Sequence, residues 1–230
     1  MKDSTSTSSI NRRRTTVAAV RFEQGAVAEP AQNNDSKPKI IYVRSLSRST
    51  NFLQTFEETQ KNIIYNWSGI HEIAREPQLV RPNNVNQLAQ LVRTATSKLT
   101  VMGTGLSFEK LMSIQLDDPE AKLISMEHFQ GLIEMRKETA VFGAAISVND
   151  VIAILASHHR MLPCSPGVIG IQTLAGAIST GTHGQGIHQS SYSDIVRSLR
   201  VVLPSGKVVA IDEHTVDYPL QAFVTAMGTL

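Results

Sequence analysis

Residues 161–193 contain no Asp, Glu, Lys or Arg, and this uncharged stretch constrains the fold more than any other feature of the chain. Glycine and proline interrupt it too often for a membrane-spanning helix. Its first half is too apolar for an ordinary solvated loop. The stretch therefore predicts a buried wall lined by glycine. Such a wall lets backbone amides approach a large ligand closely, because glycine has no side chain and tolerates positive φ.

Composition narrows the class of protein. The 230 residues suffice for one or two domains, and a formal net charge of +2 gives no bulk electrostatic case for a nucleic-acid partner. The single cysteine, Cys164, cannot form an intrachain disulfide, which fits a reducing compartment. No apolar run is long enough to cross a bilayer, so membrane association would need a partner or a segment outside this chain.

Residues 1–38 differ in composition from the rest of the chain. Residues 1–16 hold eight Ser or Thr, and up to Phe22 the basic residues Lys2, Arg12, Arg13, Arg14 and Arg21 stand against Asp3 alone. This composition is typical both of a disordered tail and of a mitochondrial targeting segment, and both interpretations stay open for residues 1–38. The apolar core of a secretory signal is missing. We therefore expect an intracellular protein, mitochondrial or cytoplasmic. Residues 39–65 are expected to be a connector, and residues 66–230 the functional domain.

Hydrophobic periodicity predicts a mixed order of helices and strands. After a cap at Asn83 or Asn84, apolar residues recur at helical spacing from Val85 to Ala95. The other predicted helices cover residues 148–155 and 217–226, with weaker helical character at 52–61. The predicted strands cover residues 99–102, 122–126, 140–145, 195–203 and 208–211, of which the last two form a hairpin. This order predicts an α+β fold rather than a strict βαβ alternation.

A glycine turn follows the first predicted strand. Two glycines two positions apart let the backbone curl so that several N–H groups face one point, and neighbouring hydroxyls add donors, which makes a nest for phosphate oxygens. Phe108 stands where a dinucleotide fingerprint needs a third glycine, and no P-loop lysine follows. A plain strand-to-loop turn is the alternative. The residues of this turn are Gly103, Thr104, Gly105, Leu106 and Ser107.

A second segment, residues 174–184, alternates small side chains with hydroxyls. Small side chains let a flat ring lie against the backbone, and the hydroxyls can meet the polar edges of that ring. A solvated surface loop is the alternative, but it would expose the apolar Leu174 and Ile178 to water. The candidate binding residues of this segment are Gly176, Ser179, Gly181, Thr182 and His183.

Other kinds of chemistry have less support. The histidines between residues 158 and 188 have no carboxylate near them before Asp194, so we predict no metal site. Cys164 has no basic neighbour, which favours an inert packed thiol over a nucleophile. The Gly-x-Ser-x-Gly sequence of serine hydrolases is absent.

Taken together, several segments resemble the flavin-binding half of the sugar-1,4-lactone oxidoreductases, within the vanillyl-alcohol-oxidase-type flavoproteins. This family includes gulonolactone, arabinonolactone and galactonolactone oxidases and dehydrogenases. The resemblance covers residues 63–230. It is carried by NWSG at 66–69, VRPNNVNQLAQLV at 80–92, VMGTGLS at 101–107, VFGAAISVNDVIAIL at 141–155, LAGAISTGTHGQG at 174–186 and VVLPSGKVV at 201–209.

The resemblance implies an α+β, two-subdomain FAD-binding domain of the vanillyl-alcohol-oxidase or PCMH type, with FAD between the subdomains. The pyrophosphate would rest on Gly103–Ser107, and the segment from Gly176 to His183 would line the isoalloxazine and ribityl side. The implied reaction moves hydride from a hydroxyl-bearing carbon of a small sugar lactone to the flavin. Oxygen or another acceptor then reoxidises the flavin.

Two departures from the family pattern matter. Oxidases of this family often carry, directly before the Ser of the first loop, a His that bonds covalently to FAD. Here that position is Leu106, so non-covalent FAD is expected. The family's substrate-binding half would lie C-terminal to this chain, so the catalytic residues are unknown and His183 is the nearest candidate for a polar group beside the flavin. A non-catalytic FAD-binding module, and a related oxidase of alditols, hydroxy acids or aromatic alcohols, are the alternatives.

Overall fold

The computed structural model describes residues 16–23, 25–26, 63–164 and 169–227. The helices are α1 (Val85–Thr94), α2 (Val148–Ser157), α3 (Leu174–Ser179) and α4 (Leu220–Phe223). The strands are β1 (Thr16–Glu23), β2 (Gly25–Ala26), β3 (Ile63–Tyr65), β4 (Glu72–Arg75), β5 (Leu79–Val80), β6 (Leu99–Met102), β7 (Lys122–Ser125), β8 (Leu132–Met135), β9 (Thr139–Gly143), β10 (Arg160–Met161), β11 (Val196–Val202) and β12 (Val208–Asp212). This mixture confirms the predicted α+β class.

Helix α1 packs on a parallel three-stranded sheet in the order β5-β7-β6. The Asn84 side chain accepts a hydrogen bond from the Gln87 N–H at 3.0 Å and so satisfies one of the unpaired donors of the first turn. Leu88 and Val92, one helical turn apart, are fully buried and pack with Leu99 of β6. The predicted cap and the predicted apolar face are therefore confirmed.

A five-stranded antiparallel sheet forms the second subdomain, in the order β12-β11-β1-β9-β8. Helix α2 begins at a Ser147 cap, whose hydroxyl accepts a hydrogen bond from the Asp150 N–H at 3.0 Å. Its fully buried residues Val151 and Leu155 share an apolar core with Phe142 of β9. The same core includes Leu174 of α3, so α2 and α3 pack against one shared apolar core.

The two subdomains meet where the β11–β12 hairpin approaches α1. Val202, near the end of β11, is fully buried in the same apolar cluster as the inner face of α1. Gly206, in the hairpin turn, has φ +80°, and a Cβ there would lie 2.6 Å from Arg93 Cβ and 2.7 Å from Ala89 O. The hairpin therefore touches the helix backbone at a distance that only glycine permits.

Within residues 1–38, for which a disordered tail was one of two open interpretations, the structure describes the segment Thr16–Glu23. This segment is β1, an inner strand of the five-stranded sheet that pairs with β9 on one side and β11 on the other. Composition favoured disorder, but long-range strand pairing supplies hydrogen bonds that composition cannot reveal. The targeting interpretation of residues 1–38 stays a prediction. The weak helix predicted at 52–61 lies outside the described residues.

The C-terminal helix is shorter than predicted. Only Leu220–Phe223 of the predicted 217–226 is helical, because Pro219 precedes its first residue and Thr225 has φ +59°. Periodicity also missed the short strands β3, β4 and β8. Over the described ranges, no helix has the length and apolarity that a membrane crossing requires.

Candidate functional site

The glycine turn begins where β6 ends, at the edge of the parallel sheet. Gly105 has φ +75°, a conformation that glycine adopts without strain. In the part of the chain that the structure describes, the N–H groups of residues 103–107 donate to no protein acceptor. These donors can therefore bind an acceptor from outside the protein, as a phosphate nest does.

The opposite side of the site is built from the turn after β9 and the start of α3. At Gly143 a Cβ would lie 2.3 Å from Phe129 O, so the strand ends in a close backbone approach. The chain then turns through Ala144 and Ala145. The Ala175 N–H donates to Ala144 O at 2.9 Å, which ties α3 to this turn. Small residues consequently line this side.

The two sides touch at Gly103 and Thr173. A Cβ on Gly103 would lie 2.4 Å from Thr173 Oγ1 and 2.7 Å from Thr173 Cγ2. Thr173 is the N-cap of α3, and its Oγ1 accepts a hydrogen bond from the Gly176 N–H at 3.3 Å. The first glycine turn and the second small-residue segment, distant in sequence, therefore form one site.

An open cleft of about 330 Å³ lies between these two sides. The residues that line it include the glycine turn, Phe108, Ala144, Ala145, Gln172, Thr173, Ala175, Gly176, Ser179 and Thr180. None of the described residues that line the cleft is ionisable. An anionic ligand would therefore be held by N–H and hydroxyl dipoles rather than by a cationic side chain.

The predicted binding residues divide into two groups. Residues 103–107, Gly176 and Ser179 line the cleft. Gly181, Thr182 and His183 lie beyond the described lining: the Thr182 hydroxyl donates to Gln172 Oε1 at 3.1 Å, and His183 Nδ1 lies 2.9 Å from Gly184 O. The roles of these residues in binding stay predictions.

The predicted buried wall is only half correct. Thr173, Leu174, Ala177 and Ile178 are buried in or beside the core of the second subdomain. Residues 185–190 are exposed, and Ile187 is 92% exposed. The absence of charge predicted burial, but in residues 185–190 the side chains are mostly small or polar and pack against little.

Two residues that could carry other chemistry lie outside the cleft. Cys164 is buried, and burial together with the charge of Asp194 raises the pKa of its thiol to about 11. Burial likewise raises the pKa of the Tyr192 phenol. The Cys164 thiol therefore stays protonated near neutral pH, in agreement with the packed thiol that the sequence predicts.

Sequence reasoning missed two contributors to the site. Thr173 gave no signal beyond its position before Leu174, because its role depends on the contact with Gly103. Asn66 entered the sequence analysis only through the resemblance of NWSG at 66–69, but it is 2% exposed and its amide reaches the glycine loop. No local pattern in the sequence predicts this contact, which joins Asn66 to residues 41 and 42 positions away.

Comparisons with known proteins agree with this geometry. The family described as FAD binding domain matches residues 77–212, more than half of the chain. A D-arabinono-1,4-lactone oxidase of Kluyveromyces lactis is 24% identical over 182 residues, which are 74% of this chain and 33% of that protein. An L-gulono-1,4-lactone dehydrogenase of Mycobacterium tuberculosis is 24% identical over 173 residues, 72% of this chain and 38% of that protein.

A solved structure has a similar fold. A mutant of cholesterol oxidase from Brevibacterium sterolicum superposes with a TM-score of 0.57 at 19% identity, covering 67% of this chain and 32% of that one. This confirms the predicted fold type. The chain spans about a third of the length of the curated relatives it matches.

Proposed function

Because this chain belongs to the family of FAD binding domains, we propose that it is the FAD-binding part of an oxidoreductase acting on the CH–OH group of a sugar 1,4-lactone. The names of the relatives assign D-arabinono-1,4-lactone and L-gulono-1,4-lactone to those proteins. These names support an aldonolactone as the substrate class here. They leave the particular lactone open.

The cleft residues fit FAD. The main observation behind this proposal is that the N–H groups of residues 103–107 donate to no acceptor among the described residues. A diphosphate needs several donors at short range, and backbone N–H groups next to glycine supply them without side-chain bulk. The opposite side of the cleft is nearly flat, because its lining includes the small side chains of Ala144, Ala145 and Ala175. A flat ring can therefore approach the backbone there.

When bound, FAD supplies hydride acceptance from the carbinol carbon. The chain's own residues hold and orient the cofactor. In the proposal, residues 103–107 bind the pyrophosphate, while Gly176 and Ser179 contact the ribityl and ring side. No ionisable side chain lines the described cleft, so the group that takes the substrate's hydroxyl proton is proposed to come from elsewhere.

We also propose that FAD is bound without a covalent link. Leu106 lines the cleft at the position where a His could form such a link, and its side chain has no nucleophilic atom. Acid precipitation of the FAD-loaded chain should release the flavin into the supernatant. Yellow precipitate that keeps its flavin after washing would contradict this. The variant Leu106→His, after incubation with FAD, is the matched test of whether the position can form the link.

Turnover tests the proposed activity. A version of the chain extended with a substrate-binding half and loaded with FAD should oxidise at least one of the D-arabinono-, L-gulono- and L-galactono-1,4-lactones faster than free FAD does, with a dye or oxygen as acceptor. An alditol, a hydroxy acid and an aromatic alcohol belong in the same panel, because oxidation of one of these alone would move the function to a related oxidase. An extended version that binds FAD and oxidises none of them would favour a non-catalytic FAD-binding module.

A further inference from the structure

A buried asparagine lies under the glycine turn, outside the lining of the cleft. Asn66 follows β3 directly and is 2% exposed. Its Nδ2 donates to Ser107 O at 3.2 Å and to Phe108 O at 2.6 Å. Its Oδ1 accepts from Ser68 Oγ and from the His71 N–H, both at 3.1 Å. Both N–H donors and both acceptor positions of the carboxamide are therefore used.

The backbone strengthens the same contact. The Trp67 N–H donates to Gly105 O at 3.0 Å. The turn itself is closed by the Asn66 N–H, which donates to His71 O at 2.9 Å. The turn at Asn66 and Trp67 thus binds the carbonyl groups of Gly105 and Ser107 in the glycine turn and of Phe108, which follows it.

Fixing a carbonyl also fixes the N–H that follows it. In a planar trans peptide, the C=O of one residue and the N–H of the next point in opposite directions. When Gly105 O and Ser107 O face the turn at Asn66, the N–H groups of Leu106 and Phe108 face away from it. Leu106 and Phe108 both line the cleft, and neither N–H has an acceptor among the described residues.

We propose that Asn66 is a positioning residue that orients the N–H groups of Leu106 and Phe108 for the pyrophosphate of FAD. This inference rests on the proposed FAD site. Asn66 does not touch the cofactor in this account. It acts by holding the carbonyl side of the loop, so that the donor side is already oriented before the anion binds.

The variant Asn66→Asp tests the proposal with almost no change of shape. At neutral pH the new carboxylate places an oxygen where Nδ2 donated, and this oxygen repels Ser107 O and Phe108 O. We expect the dissociation constant for FAD to rise about tenfold or more, since two oriented hydrogen bonds are lost. Trp67 is the only tryptophan of the chain, so its quenching by bound flavin provides a direct readout.

A pH series separates positioning from general damage. A buried carboxyl that faces carbonyl oxygens has a raised pKa, and its protonated form can donate one hydrogen bond again. In Asn66→Asp, FAD affinity should therefore recover in part between about pH 8 and about pH 5. His71 and Glu109, with 3.9 Å between Nε2 and Oε2, are the ionisable groups beside the turn, so the same pH series on the unmodified protein serves as the reference.

The matched control is Asn86→Asp, which adds the same charge on the exposed first turn of α1. It should leave the dissociation constant for FAD unchanged. Equal FAD affinity in Asn66→Asp and the unmodified chain at about pH 8, or a loss that does not recover on acidification, would overturn the positioning role. An unmodified chain that binds no FAD would instead overturn the proposed function.

A second measurement needs no variant, in case Asn66→Asp does not fold. Amide hydrogen exchange on the unmodified chain should show the N–H groups of Leu106 and Phe108 exchanging rapidly without FAD, because they lack protein acceptors. Addition of FAD should slow both by about tenfold or more. FAD binding that slows neither N–H would contradict the orientation inferred from the Asn66 contacts.

Discussion

Gly103→Ala should damage both the fold and the cofactor site, because Gly103 touches the cap of α3. The new Cβ would lie 2.4 Å from Thr173 Oγ1, 2.7 Å from Thr173 Cγ2 and 3.1 Å from Thr173 Cβ. Contacts this short force a neighbour to move. Thr173 is 6% exposed and caps α3 through the Gly176 N–H, so a rotation of its side chain gives up that hydrogen bond.

The magnitude follows from these two costs. Overpacking at a buried contact costs about 1–3 kcal/mol, and loss of a threonine cap costs about 1 kcal/mol. We therefore expect the free energy of unfolding of Gly103→Ala to fall by about 2–4 kcal/mol. The same displacement separates the two sides of the cleft, so FAD should bind at least about tenfold more weakly.

Urea denaturation and an FAD titration measure the two effects. Gly186→Ala is the matched control, because its Cβ would meet only the flexible end of the exposed Gln189 side chain. The double variant Gly103→Ala/Thr173→Ala removes the two atoms that lie within 3 Å, Oγ1 and Cγ2, so its loss should be smaller than the sum of the two single losses. Additive losses, or a Gly103→Ala protein that matches Gly186→Ala in both assays, would refute the reasoning.

Three further predictions concern the rest of the fold. Gly206→Ala places a Cβ 2.7 Å from Ala89 O at φ +80°, so urea denaturation should show a free energy of unfolding lower by about 2 kcal/mol or more. Gly69→Ala is the control, because Gly69 also has a positive φ but a Cβ there would meet no atom within 4 Å; an equal loss of stability in the two variants would contradict the clash at Gly206. Leu88→Ala empties a fully buried position and should cost about 2–5 kcal/mol, whereas a loss below about 1 kcal/mol would argue against its burial. Cys164, with a thiol pKa raised to about 11, favours the folded state below the unfolded thiol's pKa, and that contribution is lost as pH rises from about 9 to about 11. Urea denaturation of Cys164→Ala should therefore show a smaller decline of stability over this range, with the remainder due to groups such as Tyr192, whose pKa is also raised; an identical decline in the variant would contradict the assignment.

Local patterns predicted the parts of the fold that depend on neighbours in sequence. The Asn84 cap and the spacing of Leu88 and Val92 specify α1 within a few residues, because a cap and an apolar face are local properties. The glycine turn of residues 103–107 was predicted as a phosphate nest for the same reason. Its N–H groups have no protein acceptor among the described residues, as a nest requires.

Local sequence patterns could not predict the contacts between segments that are distant in sequence. β1 pairs with β9 and β11, which follow it by more than a hundred residues, and its composition gave no sign of that pairing. The same limit explains why Thr173 and Asn66 were missed as parts of the site, since each matters only through its contact with the glycine turn. Thr182 and His183 lie outside the described lining of the cleft, and their roles in binding stay predictions.

Equilibrium binding of FAD and of riboflavin to the same purified chain tests the central claim most directly, with Trp67 quenching and flavin absorbance as readouts. Riboflavin has the ring and the ribityl chain of FAD but lacks its pyrophosphate and adenosine. If residues 103–107 hold that pyrophosphate, FAD should bind with one-to-one stoichiometry and at least about a hundredfold more tightly than riboflavin, since several hydrogen bonds to a charged group are involved. Equal affinities for the two flavins, or no binding of FAD, would contradict the account.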